Sequence, residues 1–208
     1  MCGLAGIARH EGPRPREETL LRMAGALQHR GPDGHGLFGG RRVGLAHTRL
    51  SIIDLDRGAQ PMTNEDGSLV VVYNGEIYNY VELQDELEGR GHRFRTACDT
   101  EVLVHGYEEW GEELLQRLNG QFAFALYDRR DESLFLARDR FGIRPLFYAH
   151  RDGDLVFGSE VKSLLASGEV EAGIDHRGLD EVFTFWGARP PRTPFRGVSQ
   201  LEPGTCAR

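Results

Sequence analysis

Apolar residues follow two rhythms along this chain. Short, dense runs at CGLAGIA (2–8), RVGLAHTRLSIID (42–54) and SLVVVYN (68–74) predict buried strands. QFAFALYDRRDESLFLARD (121–139) alternates and then turns back on itself, and PLFYAHRDGDLVFGSE (145–160) does the same around Asp152-Gly153, so both predict β-hairpins. Elsewhere the spacing widens to that of helices. REETLLRMAGALQHRG (16–31) carries Leu20, Leu21, Ala24 and Leu27 and stops at Gly31. NYVELQDELEGRG (79–91) opens on Asn79 with Glu82 three residues on, as in a capping box, and closes at Gly89 or Gly91. DTEVLVHGYEEWG (99–111) predicts another helix and EVKSLLASG (160–168) a short one. Helices sit in the middle of the order with antiparallel hairpins on both sides, which is an α+β pattern rather than βαβ.

The length of 208 residues favours one large domain or a domain with a tail. Beyond Ile174 the character changes, and ARPPRTPFRGVSQLEPG (188–204), rich in Pro, Gly and Arg, reads as a linker. The expected organisation is therefore a domain over 2–175 and a Pro/Gly-rich C-terminal segment over 176–208 that leads toward something further. A net charge of −7 argues against nucleic acid or an anionic membrane surface as partner. No apolar run has membrane-spanning length, and Arg9, His10 and Glu11 cut the first apolar stretch too short for a signal peptide, so a cytoplasmic location is expected. Three scattered cysteines, Cys2, Cys98 and Cys206, make no disulfide framework. The histidines lack any paired ligand spacing and the glycine-rich GLFGG (36–40) lacks a phosphate-loop lysine, so neither a metal nor a bound phosphate is expected.

Candidate chemistry begins at Cys2. If Met1 is removed, one residue carries a nucleophilic thiol and a free α-amine whose reference pKa of about 7.7–8.0 suits a general base near neutrality. The plain alternative is a buried cysteine acting as a small hydrophobe. In NGEIYNY (74–80), Asn74 offers a side-chain amide beside the unencumbered backbone N–H of Gly75, a donor pair able to hold an oxyanion; the same dipeptide also makes an ordinary turn at a strand end. Arg49, in the apolar HTRLSIIDL (47–55), can grip a carboxylate with two prongs or face solvent at a strand edge. Asp99 can receive an ammonium or simply cap a helix. HRGPDG (29–34) reads as a tight turn. Thiol, oxyanion pair, arginine and aspartate together fit an amino acid with a reactive side-chain carbonyl, and on these residues glutamine and asparagine fit equally well.

The motifs MCGLAGI, HRGPDGHG, HTRLSIIDL followed by GAQPM, NGEIYNY, CDTEV, FAFALYD, ARDRFGIRPLFY and GSEVKSLL, in that order, resemble class II glutamine amidotransferases. The similarity is closest to the glutaminase domain of bacterial glutamine-hydrolysing asparagine synthetases, and it runs from Cys2 to the PGT at 203–205. The resemblance implies an N-terminal-nucleophile hydrolase fold, a four-layer αββα sandwich of two antiparallel sheets between helical layers. It implies Cys2 as nucleophile with its α-amine as base, Asn74 and Gly75 as oxyanion hole, and Arg49 on the glutamine α-carboxylate. It places Asp99 and Glu76 near the substrate amine and the backbone of Leu50, Ser51, Ile52 and Ile53 along the adjacent wall. L-Glutamine is the implied substrate, hydrolysed through a glutamyl thioester to glutamate and ammonia for asparagine synthesis. Its implied partner is a C-terminal synthetase domain, and a homodimer stays open. No cofactor is implied for this domain, because ATP and magnesium belong to a Ser-Gly-Gly-x-Asp-Ser pyrophosphate loop that does not occur here. The family's usual Gly-Ser before the aspartate is replaced by Ala97-Cys98, and Cys98 is read as a packing residue. Two alternatives accompany this reading: the same glutaminase serving another acceptor, and a non-catalytic glutamine-binding module if Met1 is retained.

Overall fold

A computed structural model describes all 208 residues. The dense apolar runs become strands whose two faces are both buried. In chain order the first elements are β1 (Gly3–Ala8), α1 (Glu17–Gly25), β2 (Gly34–Gly39), β3 (Val43–Arg49), β4 (Met62–Thr63) and β5 (Leu69–Ile77). There follow α2 (Tyr80–Gly89), α3 (Asp99–Trp110), a 3₁₀ turn, the short α4 (Leu114–Arg117), β6 (Gly120–Asp128) and β7 (Ser133–Arg138). The chain closes with β8 (Phe147–Arg151), β9 (Asp154–Gly158), α5 (Val161–Ala166), α6 (His176–Phe185), β10 (Ser199–Gln200) and β11 (Cys206–Ala207). Six strands form one sheet in the order β10-β8-β9-β1-β3-β2, and five form a second in the order β11-β7-β6-β5-β4. Every pairing between these strands is antiparallel.

Strand periodicity sorts side chains into layers. Along β5, Val70 and Val72 join Leu4, Leu45, Ala123, Ala125 and Phe157 between the sheets, while Leu69, Val71 and Tyr73 pack outward on α2 and α3 with Leu87, Leu103 and Phe124. On the other side Ala5, Ile7 and Ala46 meet Leu20, Met23 and Leu27 of the α1 region and Leu164 of α5. Two sheets with helices outside each is the four-layer α+β sandwich the motifs implied. Burial on both faces explains why LVVVY reads as an unbroken apolar run, and β6, expected as an alternating strand, is buried on both faces as well. No helix is long and apolar enough to cross a membrane.

Several local expectations change. The helix at 16–31 ends at Gly25, and turns carry the chain on to Gly31. The strand expected over 42–54 stops at Arg49, and GHGLFG, read only as glycine-rich, is β2, held by full pairing to β3. Asn79 does not cap α2 through its side chain; its amide instead spans to the 117–119 segment, donating to Arg117 O at 2.9 Å and accepting from Asn119 N at 2.9 Å. The 188–204 stretch is not a free linker. Gln200 lies in β10 beside Phe147, Leu201 N donates to Leu146 O at 2.8 Å, and the buried guanidinium of Arg138 donates to Leu201 O. α6 starts on Asp175, whose carboxylate accepts from Gly178 N at 2.8 Å. The hairpin turn at Asp152-Gly153 is as expected, with φ of 51° and 87°.

His47 of β3 is buried, with Nε2 3.1 Å from Tyr73 O. Burial pushes its pKa down to about 4. Because the folded value lies below the unfolded value of about 6.5, the folded state is fully stable with respect to this group above that pH. The contribution, roughly 3 kcal/mol at most, is lost as pH falls from there toward 4. In urea unfolding at about pH 7 and pH 4.5, the stability of a His47→Gln variant is expected to fall less between the two than that of the parent. Equal losses would exclude His47 as the responsible group.

Candidate active site

A pocket of about 80 Å³ opens where the N-terminal end of β1, the C-terminal end of β5, the loop after β3 and the start of α3 converge. Its lining includes Met1, Cys2, Arg49, Asn74, Gly75 and Asp99. A wider groove of about 630 Å³ lies between β8 and the 189–199 segment, and none of the candidate residues lines it.

Cys2 enters the pocket because β1 begins at Gly3, immediately beyond it. Its Sγ is 3.4 Å from Leu50 N and 3.7 Å from Leu50 O. Burial pushes the thiol pKa up, against the smaller opposing effects of the Leu50 contact, the N-terminal charge and Arg49. The thiol is thus held protonated at neutral pH unless a base takes its proton. The HRGPDG turn does more than reverse the chain. Arg30 Nε donates to Cys2 O at 2.9 Å while its Nη1 pairs with Glu160 at 2.9 Å, so the arginine clamps the backbone that carries the thiol. Nothing in the sequence marked it, since histidine, glycine and proline around it gave only a turn signal.

Asn74 and Gly75 do not form a turn that ends the strand. β5 continues to Ile77, with Asn74 opposite Ala123 and Gly75 opposite Phe122 of β6. Asn74 is 1% exposed and its Nδ2 has no hydrogen-bond partner in the protein. A buried donor left unpaired costs about 1–3 kcal/mol, so an unsatisfied amide on a pocket wall points to an acceptor supplied by a ligand. Glycine at 75 is required by close approach, because a Cβ there would sit 2.3 Å from Gln121 O and 2.8 Å from both Phe122 Cα and the Tyr73 ring.

Arg49 is half-buried and does not face solvent as an edge residue would. Its Nη1 donates to Leu55 O at 3.0 Å, and its Nη2 to Asp54 O at 2.6 Å and Ile53 O at 3.4 Å. It thereby folds the 50–55 loop around itself. Three bonds leave two of its five donors, and no carboxylate lies within ion-pairing distance of it, so its charge is available to an anion in the pocket. Leu50, Ile52 and Ile53 line the pocket, but Ser51 does not; its N–H donates to Asp33 at 2.8 Å and it serves the loop. Glu76 lines the rim and is exposed.

Asp99 is the first residue of α3, and the N-cap position belongs to Cys98, which makes no side-chain cap bond. The buried Asp99 carboxylate crosses to β5, where Oδ2 accepts from Tyr73 Oη at 2.7 Å and from Ile77 N at 3.0 Å. Burial and the neighbouring Asp99 charge raise the Tyr73 phenol well above its usual range, so it stays a donor. Asp99 Oδ1 is left beside Cys98 Sγ at 3.6 Å. Cys98 lines the pocket and also approaches Thr100 Oγ1 at 3.3 Å, so it is a wall residue as well as a packing one. Sequence reading assigned no role to Gln60, Tyr73, Thr100 or Arg144, which also line the pocket. Gln60 joins two of its walls, accepting from Tyr73 N at 2.7 Å and donating to Thr100 at 3.3 Å. Arg144 is set by the buried Asp139, which accepts its N–H at 3.0 Å, and its Nη1 contacts Met1 Sδ.

The family model for the glutamine amidotransferase domain matches residues 1–208. The chain is 41% identical over 210 residues to asparagine synthetase [glutamine-hydrolyzing] 3 of Bacillus subtilis, covering 98% of this chain and 34% of that protein. It is 49% identical over 169 residues to asparagine synthetase [glutamine-hydrolyzing] 2 of the same organism, covering 80% of this chain and 22% of the relative. The chain thus spans about a third or less of the length of these relatives. Among solved structures it is similar to the allosteric regulatory enzyme of purine biosynthesis, with a TM-score of 0.66 at 25% identity over 80% of this chain and 43% of that one. A glutamine phosphoribosylpyrophosphate amidotransferase from B. subtilis shares the fold at the same TM-score and 23% identity, over 84% of this chain and 45% of that one.

Proposed function

Because the chain belongs to the glutamine amidotransferase domain family, we propose that it hydrolyses L-glutamine to glutamate and ammonia at the Cys2 pocket and passes the ammonia to a synthetase domain that makes asparagine. The observation that carries this reading is the pairing of a thiol with the unpartnered Asn74 amide in one small pocket. In the first step the Cys2 thiolate attacks the side-chain carbonyl of glutamine. The proton passes to the Cys2 α-amine, exposed once Met1 is removed, and Asn74 Nδ2 with the Gly75 N–H receives the developing oxyanion. Ammonia leaves with that proton, and water then cleaves the thioester to release glutamate and restore the thiol. Arg49 with its two free donors holds the substrate α-carboxylate. Asp99 Oδ1 and Glu76 face its ammonium, while Leu50, Ile52 and Ile53 wall the substrate and Ser51 braces their loop. No cofactor takes part here; ATP and magnesium serve the proposed synthetase partner. The relatives' name supports asparagine as the product.

Met1 lines the pocket, so its removal both uncovers the amine and widens the site. Protein whose processing is verified by intact mass is expected to release ammonia at least ~10²-fold faster than protein with a blocked N-terminus, the loss typical when a general base is removed. Equal rates would rule out the amine as base, and glutamine binding with no turnover in either form would make the chain a non-catalytic module.

Substrate length provides an independent check. With the α-carboxylate on Arg49 and the ammonium on Asp99, asparagine, one methylene shorter, places its carbonyl about 1 Å from where glutamine places it. Misplacement of that size can cost ~10²-fold, so kcat/KM is expected to favour glutamine by at least that factor. Comparable turnover of asparagine would remove the two-point anchor and the roles given to Arg49 and Asp99.

A further inference from the structure

Spacing along the chain gave no metal expectation, but folding brings together a set of ligands that spacing does not show. His92, from the connection between α2 and α3, lies against His105 and Glu108, one turn apart on α3. One ligand atom from each of the three lies within 4.8 Å of the others. His92 Nδ1 is 3.7 Å from Glu108 Oε2. His105 Nδ1 is 3.7 Å from that same oxygen and 3.8 Å from Glu65 Oε2. These separations are too long for hydrogen bonds. His105 is 1% exposed and its Nδ1 has no hydrogen-bond partner. A tetrahedral zinc ion with bonds of about 2.0–2.1 Å sets neighbouring donors about 3.4 Å apart, close to the spacing found here.

The surroundings orient the His92 ring for ligation and place a carboxylate near the His105 ring. His92 Nε2 is 3.2 Å from Glu109 Oε2, and Glu109 is held by Arg90 at 2.9 Å. His105 Nε2 is 3.6 Å from Glu101 Oε1. A His92 imidazole whose Nε2–H donates to Glu109 keeps its Nδ1 lone pair free, the same outer support that metal-binding histidines use, and Glu101 places a carboxylate near Nε2 of His105. The spare oxygen of the proposed carboxylate ligand is also engaged: Glu108 Oε1 accepts from Asn64 at 3.4 Å. Two imidazoles with a carboxylate suit zinc and its neighbours in the transition series rather than magnesium or calcium.

We propose that His92, His105 and Glu108 form a three-residue binding site for a divalent transition-metal ion, zinc by its donor set, on α3 and separate from the Cys2 pocket. The ion ties the α2–α3 connection to α3. Glu101, behind His105, also accepts from Arg95 N at 2.9 Å and Thr96 N at 2.8 Å, so the metal reinforces the segment that leads into Asp99.

The test uses the full chain as Cys2→Ala, because an N-terminal aminothiol can itself chelate metal. After chelator treatment the protein is titrated with zinc by calorimetry and with cobalt by visible absorption. One saturable equivalent is expected, together with cobalt ligand-field bands. Adding His92→Ala or Glu108→Gln is expected to weaken affinity at least ~10²-fold, since loss of mere outer-shell partners costs ~10–10²-fold. Circular dichroism confirms that these variants are folded; both residues are at least partly exposed, so they are preferred to the buried His105. Absence of saturable binding at millimolar metal, or binding that both substitutions leave unchanged, would overturn the site.

Discussion

Cys2→Ala protein is expected to release no ammonia from glutamine above background while still binding it. The Cys2 thiol stands beside the α-amine that can take its proton, whereas Cys98, the other thiol on the pocket wall, is engaged with Thr100 and lies beside the Asp99 carboxylate, whose charge disfavours a Cys98 thiolate. The grip on the substrate head comes from Arg49 and Asp99, which the substitution leaves in place. Their supports, the 53–55 carbonyls for one and Tyr73 with Ile77 for the other, do not involve Cys2. Cys2→Ser is expected to be severely impaired too. Burial already raises the pKa of the thiol, and an alcohol in the same place is far harder to deprotonate. The measurements are ammonia release and calorimetric glutamine binding on the same preparation. Ammonia release by Cys2→Ala near the parent rate would show that another residue is the nucleophile, with Cys98 next to be tested.

Asn74→Ala is expected to lower kcat by ~10²–10³, the usual loss for one oxyanion donor, with a much smaller change in KM. The structural argument separates this from a folding defect. Asn74 sits inside the β5 ladder opposite Ala123, so alanine keeps the backbone pairing. Its Nδ2 makes no hydrogen bond within the protein, so removal breaks none and relieves an unpaired buried donor. A melting temperature close to the parent's, with the rate down by two orders of magnitude or more, is the expected pair of results. A lowered melting temperature with kcat of the folded fraction unchanged would make Asn74 a structural residue only.

Much of this architecture was already present in local pattern. The apolar run LVVVY and the two hairpin patterns marked strands, and their order with the helices gave the α+β class; the four layers came from the family resemblance. The Asp152-Gly153 turn specifies its hairpin because Gly, and to a lesser degree Asp, tolerates positive φ. Cys2 was conspicuous by position, and Asn74, Gly75, Arg49 and Asp99 by chemical type. The motif order led to the amidotransferase family, although residue chemistry alone could not separate glutamine from asparagine.

What the tertiary structure alone decided is how those residues are held and what joins them. GHGLFG lacks apolar periodicity and becomes β2 because β3 supplies its partner. Asn79 has good capping chemistry, yet spanning to residues 117–119 satisfies more of the backbone than its own helix end offers. The 188–204 stretch reads as linker by composition, but the carbonyl of Leu201 serves the buried Arg138 and Ser199–Gln200 edges the six-stranded sheet as β10. Arg30 behind Cys2, Gln60 between two pocket walls, and His92 against His105 and Glu108 share one reason for being invisible beforehand. Each acts on a partner distant in sequence, and a side chain that satisfies a remote buried group leaves no periodic trace in its own neighbourhood.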